Sequence, residues 1–353
     1  MQPAAPSILP FPLPVAAFAL VALSPALLIG AAALQGGLWT GLALLVMAVL
    51  PVLIDRMLPW VAGDAGEGVE FPLAGALLLL IGLGHLLLLP LVVWAVAGDA
   101  LRVGGRIALF LAAGLWFGQV AHPAAHELIH QPGRLARGLG VAVYVTLLFG
   151  HHASAHRLVH HRHVASARDP NTARAGEGFY RYAVRAWTGS FRDGRRAESR
   201  LRGGRGLYPY GLYLAGAALS LISGAVIGGW TGLAVWAGLG FHATAQILLS
   251  DYVQHYGLRR RTQGDRLEPV GPAHSWNAGP WYSAALMLNA ARHSDHHMHP
   301  ARAYPALQLA GAGTAPRLPW PLPLACLIAL VPPLWRRWMQ PHLARWNPPD
   351  GGL

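Results

Sequence analysis

"FPLAGALLLLIGLGHLLLLPLVVWAVAG", residues 71–98, runs for 28 positions without an aspartate, glutamate, lysine or arginine. A helix needs about 20 apolar residues to cross a bilayer, and this stretch exceeds that. Three more, roughly 10–34, 36–58 and 105–125, approach or exceed the same length. The first is too long for the core of a cleaved signal peptide and has no basic leader, so it reads as a retained span. The composition agrees: 54% of the 353 residues are hydrophobic and 12% are charged, against about 45–50% and about 25% in soluble domains. The sequence predicts an all-α, polytopic membrane protein.

Two further apolar stretches, 207–229 and 231–251, form a hairpin broken at "GGWTG". The run 138–150 is too short to span and reads as a re-entrant or interfacial helix. Residues 320–338, interrupted by four prolines, are expected on the surface or against the bundle. The result is a single domain over 1–353 with about six spans and both termini on one side. All 27 basic residues are arginines, and the net charge is +12. In this topology only Arg102 and Arg106 lie opposite the termini, so the positive-inside tendency makes the terminal side cytoplasmic. Twelve arginines fall in 157–205, inside a cytoplasmic excursion expected over 152–206. They read as a topology determinant touching lipid headgroups. Arg192, Arg195 and Arg196 are the candidate docking face for an acidic protein; nucleic-acid binding is not expected. The lone Cys326 excludes an intramolecular disulfide and a cysteine-based metal site.

Nine of the 18 histidines fall in four clusters. "HELIH" carries His126 and His130, and "SAHRLVHHRHV" carries His156, His160 and His161. "DYVQHYGL" carries His255, and "NAARHSDHHMHP" carries His293, His296 and His297. Parity places all four on the cytoplasmic side. Residues i and i+4 share a helix face, so His126 with His130, and His156 with His160, can each present a pair. Adjacent histidines diverge by about 100° on a helix. His160/His161 and His296/His297 therefore suit two neighbouring ions better than one. Imidazole suits zinc, copper, iron and nickel, and nine donors exceed what two tetrahedral zinc ions use. They fit two irons of higher coordination with open positions. Glu127, Asp169, Asp251 and Asp295 lie within or beside the motifs and are expected to accept the far N–H of ligating rings. The other nine histidines read as interfacial or hydrogen-bonded groups; His122 and His242, in or near spans, are the least settled of these.

These motifs resemble those of the membrane-bound alkane 1-monooxygenases, within the integral-membrane desaturase–hydroxylase superfamily. "HELIH" resembles the family's first box, "AHRLVHHRHVASARDP" its second, "DYVQHYGL" its third and "NAARHSDHH" its fourth. The tail "VPPLWRRWMQP" is similar too, and the likeness runs from about 36 to 346. It implies a nonheme diiron centre on the same nine histidines, with O2 as cosubstrate. It also implies rubredoxin or ferredoxin as electron donor, behind an NAD(P)H-dependent reductase. Three positions depart from the family pattern: Ala155 for glutamate, Val159 for glycine and Arg168 for a carboxylate.

The expected reaction is terminal hydroxylation of an apolar chain at a bacterial-type plasma membrane, with the site facing the cytoplasm. A fatty acyl desaturase or hydroxylase and a xylene-type methyl hydroxylase are the enzymatic alternatives. A metal transporter or storage protein is the alternative outside enzymes, but it would place ionisable groups through the membrane depth. A zinc protease built on "HELIH" needs one more ligand and leaves six histidines unexplained.

Overall fold

A computed structural model describes residues 7–203, 205–263 and 266–347. Both ends of the domain expected over 1–353 lie outside the described residues.

The first span, α1 (Val15–Gln35), is followed by α2 (Leu38–Ala48) and α3 (Leu50–Met57). α2 and α3 are bent by 48° against each other. Pro51, the second residue of α3, has no N–H to donate, which interrupts the ladder at the bend. The quoted stretch forms α4 (Ala74–Ala97). Next, α5 (Val103–Trp116) passes through a π-helical turn, Phe117–Ala121, into α6 (His122–His130). α7 (Arg134–Thr146) packs along α6. It begins four residues before the expected interfacial run.

α8 (His152–Ala155) leads into a second π-helical turn, His156–His160, and then α9 (His161–His163). α10 (Phe179–Arg202) carries the arginine-rich segment, and α11 (Pro209–His255) carries the expected hairpin. Strands Thr262–Gln263 and Arg266–Leu267 pair antiparallel. Short helices α12 (Trp281–Leu286) and α13 (His293–Met298) precede α14 (Leu322–Ala329) and α15 (Pro332–Trp346). In the proline-broken 320–338 segment, α14 buries Leu322, Ala325 and Ile328 against the bundle.

Among the described residues four helices are long and apolar enough to span, and α2 with α3 makes a fifth. One of the four is α11, whose 47 residues would measure about 70 Å at about 1.5 Å per residue. A bilayer core is about 30 Å thick, so one straight span is excluded. The helix breaks at Gly228 and Gly229, where φ is −145° and 60°. The chain folds back there: a Cβ on Gly224 would lie 2.9 Å from the Gly232 carbonyl oxygen and 3.1 Å from the Trp236 Cβ. Only small residues let two arms approach this closely. Gly224→Val is expected to destabilise the fold by about 1–3 kcal/mol through overpacking, read as a lower Tm in detergent. An unchanged Tm would show that the arms separate freely.

The outward faces are greasy. Leu27 and Leu87 are each 75% exposed and Val226 is 81% exposed. In water such a belt would aggregate; in lipid it is the solvated surface.

Candidate metal centre

The four histidine motifs converge. His126, His130, His156, His161 and His296 form one group, and His160, His255, His293 and His297 form a second. Within each group one nitrogen per ring lies within 4.8 Å of all the others. All nine sequence-derived histidines are therefore placed, with none left over. The neighbours His160 and His161 are divided between the groups, and so are His296 and His297.

Helix geometry explains most of this sorting. His126 and His130 are four apart on α6 and share a group, as do His293 and His297 on α13. The expected pairing of His156 with His160 is corrected. The π-helical turn bonds the His161 N–H to the His156 carbonyl, five residues back. That extra residue per turn brings His161, rather than His160, over His156.

Fixed anchors hold the segments in register. Buried Arg292, just before α13, donates to the Asp64 carboxylate (2.6 Å) and to the carbonyls of Leu307 (2.7 Å) and Ala62 (2.6 Å). Asn277 accepts from the Ser294 N–H at 2.9 Å and donates to its hydroxyl at 2.8 Å. Arg260 donates to the carbonyls of Val164 and Arg162, pinning the exit of the second motif. Leu148, Ala165, Leu288 and Asn289, in the loops beside the histidine segments, all have φ between 51° and 61°. For non-glycine residues that conformation costs about 1–3 kcal/mol each, a strain typical of functional sites.

The spacing of the ring nitrogens fits a donor set that could hold metal. In the first group His156 Nε2 lies 2.8 Å from His126 Nε2 and 2.9 Å from His161 Nε2, and the latter is 3.2 Å from His296 Nε2. In the second, His293 Nε2 is 3.0 Å from His255 Nε2 and 3.1 Å from His297 Nε2. An imidazole nitrogen offers one proton or one lone pair, in the ring plane. Protons alone cannot satisfy a nitrogen that faces two others at once. Two nitrogens at right angles around an ion, each about 2.1 Å away, lie about 3.0 Å apart. The observed spacings are compatible with neighbouring ligands on a shared ion. His130 Nε2 and His160 Nε2 are also buried without a hydrogen-bond partner among the described residues.

Burial keeps these rings neutral. His156, His161, His293, His296 and His297 are all held well below the ordinary imidazole range, by loss of solvent first and by neighbouring imidazoles second. Neutral imidazole is the metal-binding form. His160 is the exception. Burial opposes its charge, but Asp169 outweighs burial and raises it. Asp169 is correspondingly lowered, its own burial overcome by His160.

The four carboxylates take different places. Asp169 Oδ2 accepts from His160 Nδ1 at 2.9 Å and from Thr172 Oγ1 at 2.7 Å. Its Oδ1 accepts from the Asn171 N–H, while Asn171 donates through Nδ2 to Asp251. Glu127 lies 3.7 Å from His126 Nδ1 and 4.0 Å from His296 Nδ1. That is close enough to offset charge but too far to hydrogen-bond. The expectation for Asp295 is corrected. Its carboxylate holds His299, Arg302 and the Gln308 N–H, and reaches none of the nine histidines.

A cavity of about 430 Å³ runs from this centre between α2, α5, the second arm of α11 and α14. Leu44, Met47, Leu111, Leu115 and Leu249 line it, and His126, His156, His293 and His296 also face it. His122 and His152, read from sequence as ordinary hydrogen-bonded groups, line it as well. The i, i+4 spacing of His122 to His126 and of His152 to His156 was the available signal. Three other histidines have ordinary partners: His85 pairs with Thr146, His151 with Ser190 and His274 with Glu268. Arg192, Arg195 and Arg196 are exposed on α10.

The sequence pattern of the fatty acid desaturase family matches residues 101–325. The chain is 32% identical over 248 residues to alkane 1-monooxygenase 1 of Pseudomonas aeruginosa, covering 68% of this chain and 64% of that protein. It is 30% identical over 263 residues to an alkane 1-monooxygenase of Pseudomonas putida, covering 72% and 64%. To alkane 1-monooxygenase 1 of Alcanivorax borkumensis it is 29% identical over 324 residues, covering 88% and 79%. The chain thus spans just under two thirds of the length of the first two relatives. The family match contains all nine converging histidines and both π-helical turns. The chain belongs to the fatty acid desaturase family, and within it aligns with the alkane monooxygenases.

Proposed function

We propose that this protein is an O2-dependent nonheme diiron monooxygenase that converts the terminal methyl of an alkane-like chain to a primary alcohol. One observation carries the reading: a largely apolar cavity ends on histidines from both metal-binding groups. The names of its relatives agree with it. The nine histidines are the proposed ligands, five on one iron and four on the other. Asp169 orients His160; Glu127 and Asp251 offset charge nearby.

An alkane has no acidic proton and no leaving group, so side chains alone offer no route to it. Iron on this donor set would supply the O2 activation needed to break an unactivated C–H bond. The balance is R–CH3 + O2 + 2 e⁻ + 2 H⁺ → R–CH2OH + H2O. The apolar walls, Leu44 and Met47 on one side and Leu111, Leu115 and Leu249 on the others, align the chain and keep water out. The two electrons come from a rubredoxin or ferredoxin served by an NAD(P)H-dependent reductase. The arginine distribution supports a bacterial plasma membrane with the centre on the cytoplasmic side.

Purified protein is expected to hold about two irons per chain and, with donor, reductase and NADH, to convert n-alkanes to 1-alcohols. Zinc in place of iron, or no oxygenated product from alkanes, xylenes and acyl lipids, would sink the proposal. Product from xylenes or acyl lipids alone would reassign the substrate. The exposure of Arg192, Arg195 and Arg196 supports α10 as the proposed donor-docking face. Reversing all three to glutamate is expected to slow donor-dependent turnover about tenfold or more at low salt, since steering changes on-rates by about 10–10³. Iron content should not change. Unaltered kinetics would place the donor elsewhere.

A further inference from the structure

The cavity wall beside the metal groups carries a polar group that an alkane cannot use. His122, the first residue of α6, stands one turn before His126, with ring centroids 6.2 Å apart. Both face the same cavity. Its Nδ1 lies 2.9 Å from the hydroxyl of Tyr144 on α7. Tyr144 is fully buried, and His122 is the only partner of its hydroxyl among the described residues. If the ring donated, the tyrosine O–H would be left buried and unpaired, which costs far more than the bond returns. The hydroxyl therefore donates to Nδ1, and the proton of the neutral ring sits on Nε2.

Nε2 has no protein partner among the described residues and is not among the fully enclosed polar atoms. His122 keeps some accessible surface although it lies inside the bundle, and that surface belongs to the cavity. His152 packs against His122 and Tyr144, with centroids 5.8 and 4.9 Å away, and stacks on Phe149. The ring is thus fixed in both orientation and tautomer, with an N–H facing a largely apolar cavity whose other polar wall residues include Gln119, Gln246 and Ser250.

We infer that His122 Nε2–H seats an oxygen atom of the cavity's occupant at the reacting end, namely the hydroxyl of the primary alcohol. Tyr144 acts through His122 as a positioning residue. The inference rests on the proposed monooxygenase reading, for which that alcohol is the product. A chain alcohol then binds more tightly than the alkane it came from, and its release is slowed by one hydrogen bond.

The test needs no metal. Metal-free protein in phospholipid nanodiscs is titrated with radiolabelled octan-1-ol and with n-octane, so that partition into lipid cancels between variants. His122→Phe is expected to weaken octan-1-ol about five- to tenfold, the worth of one buried hydrogen bond, with n-octane changed less than twofold. His122→Gln, which keeps an N–H, is expected to restore most of the preference, and Tyr144→Phe to lose part of it. An unchanged octan-1-ol affinity in His122→Phe overturns the proposal. Equal loss of both ligands in His122→Phe and His122→Gln also overturns it, because that is the signature of packing. An iron-loaded protein that makes no alcohol, yet prefers octan-1-ol through His122, would refute the monooxygenase reading and leave the seat standing.

Discussion

His161→Ala and His296→Ala are expected to empty the same metal position, although 135 residues separate them. Both belong to the group with His126, His130 and His156, and their Nε2 atoms are 3.2 Å apart. His161→Ala combined with His297→Ala is expected to strip both positions, because His297 stands with His160, His255 and His293. Elemental analysis should find about one iron per chain in the two single variants and in the His161/His296 double variant. The His161/His297 variant should hold close to none. Turnover should fall roughly a thousandfold or more in all four. Loss of an orienting partner already costs about 10–100-fold, and a missing ligand removes more. If both double variants bind the same amount of iron, the two-group division is wrong.

One part of that division, the separation of adjacent histidines, was legible in the sequence. Adjacent imidazoles on a helix point about 100° apart, so the pairs His160/His161 and His296/His297 already favoured two centres over one. The π-helical turn was not legible. Nothing in "HRLVH" departs from an ordinary helical pattern, and only the structure shows the turn, packed against α10. Its consequence, His156 beside His161, was therefore missed. The hairpin was legible because "GGWTG" interrupts an apolar run too long for one span, and Gly229 supplies the positive φ that the reversal needs. The cavity was not, because every wall residue inside a span looks alike when the span is uniformly apolar. Asp295 shows the opposite failure. Proximity in sequence suggested a role on the ligand rings, but its place on α13 turns it toward Arg302 and the loop at Gln308.

Asp169→Asn is expected to lower metal affinity about 10–100-fold, and the hydrogen bonds explain why so small a change matters. Both carboxylate oxygens accept: Oδ2 takes His160 Nδ1 and Thr172 Oγ1, and Oδ1 takes the Asn171 N–H. An amide has one acceptor and one donor end. In either orientation its NH2 faces a donor, against His160 and Thr172 or against the Asn171 backbone. The conflict is buried, so water cannot relieve it. His160 then loses the partner that fixes its ring and leaves Nε2 aimed at His255 and His297. The loss should fall on the position held by His160, His255, His293 and His297, leaving the other position filled in a chelator titration. Asp251→Asn is the control. Among the described residues its carboxylate accepts one side-chain hydrogen bond, from Asn171 Nδ2, so an amide can present its oxygen there and a loss below about threefold is expected. Asp295→Asn, which touches no metal-binding ring, should leave metal affinity unchanged. Equal losses in all three would mean that these carboxylates act through net charge alone. A loss confined to Asp169→Asn would show that the hydrogen bond to His160 is what holds the second position in shape.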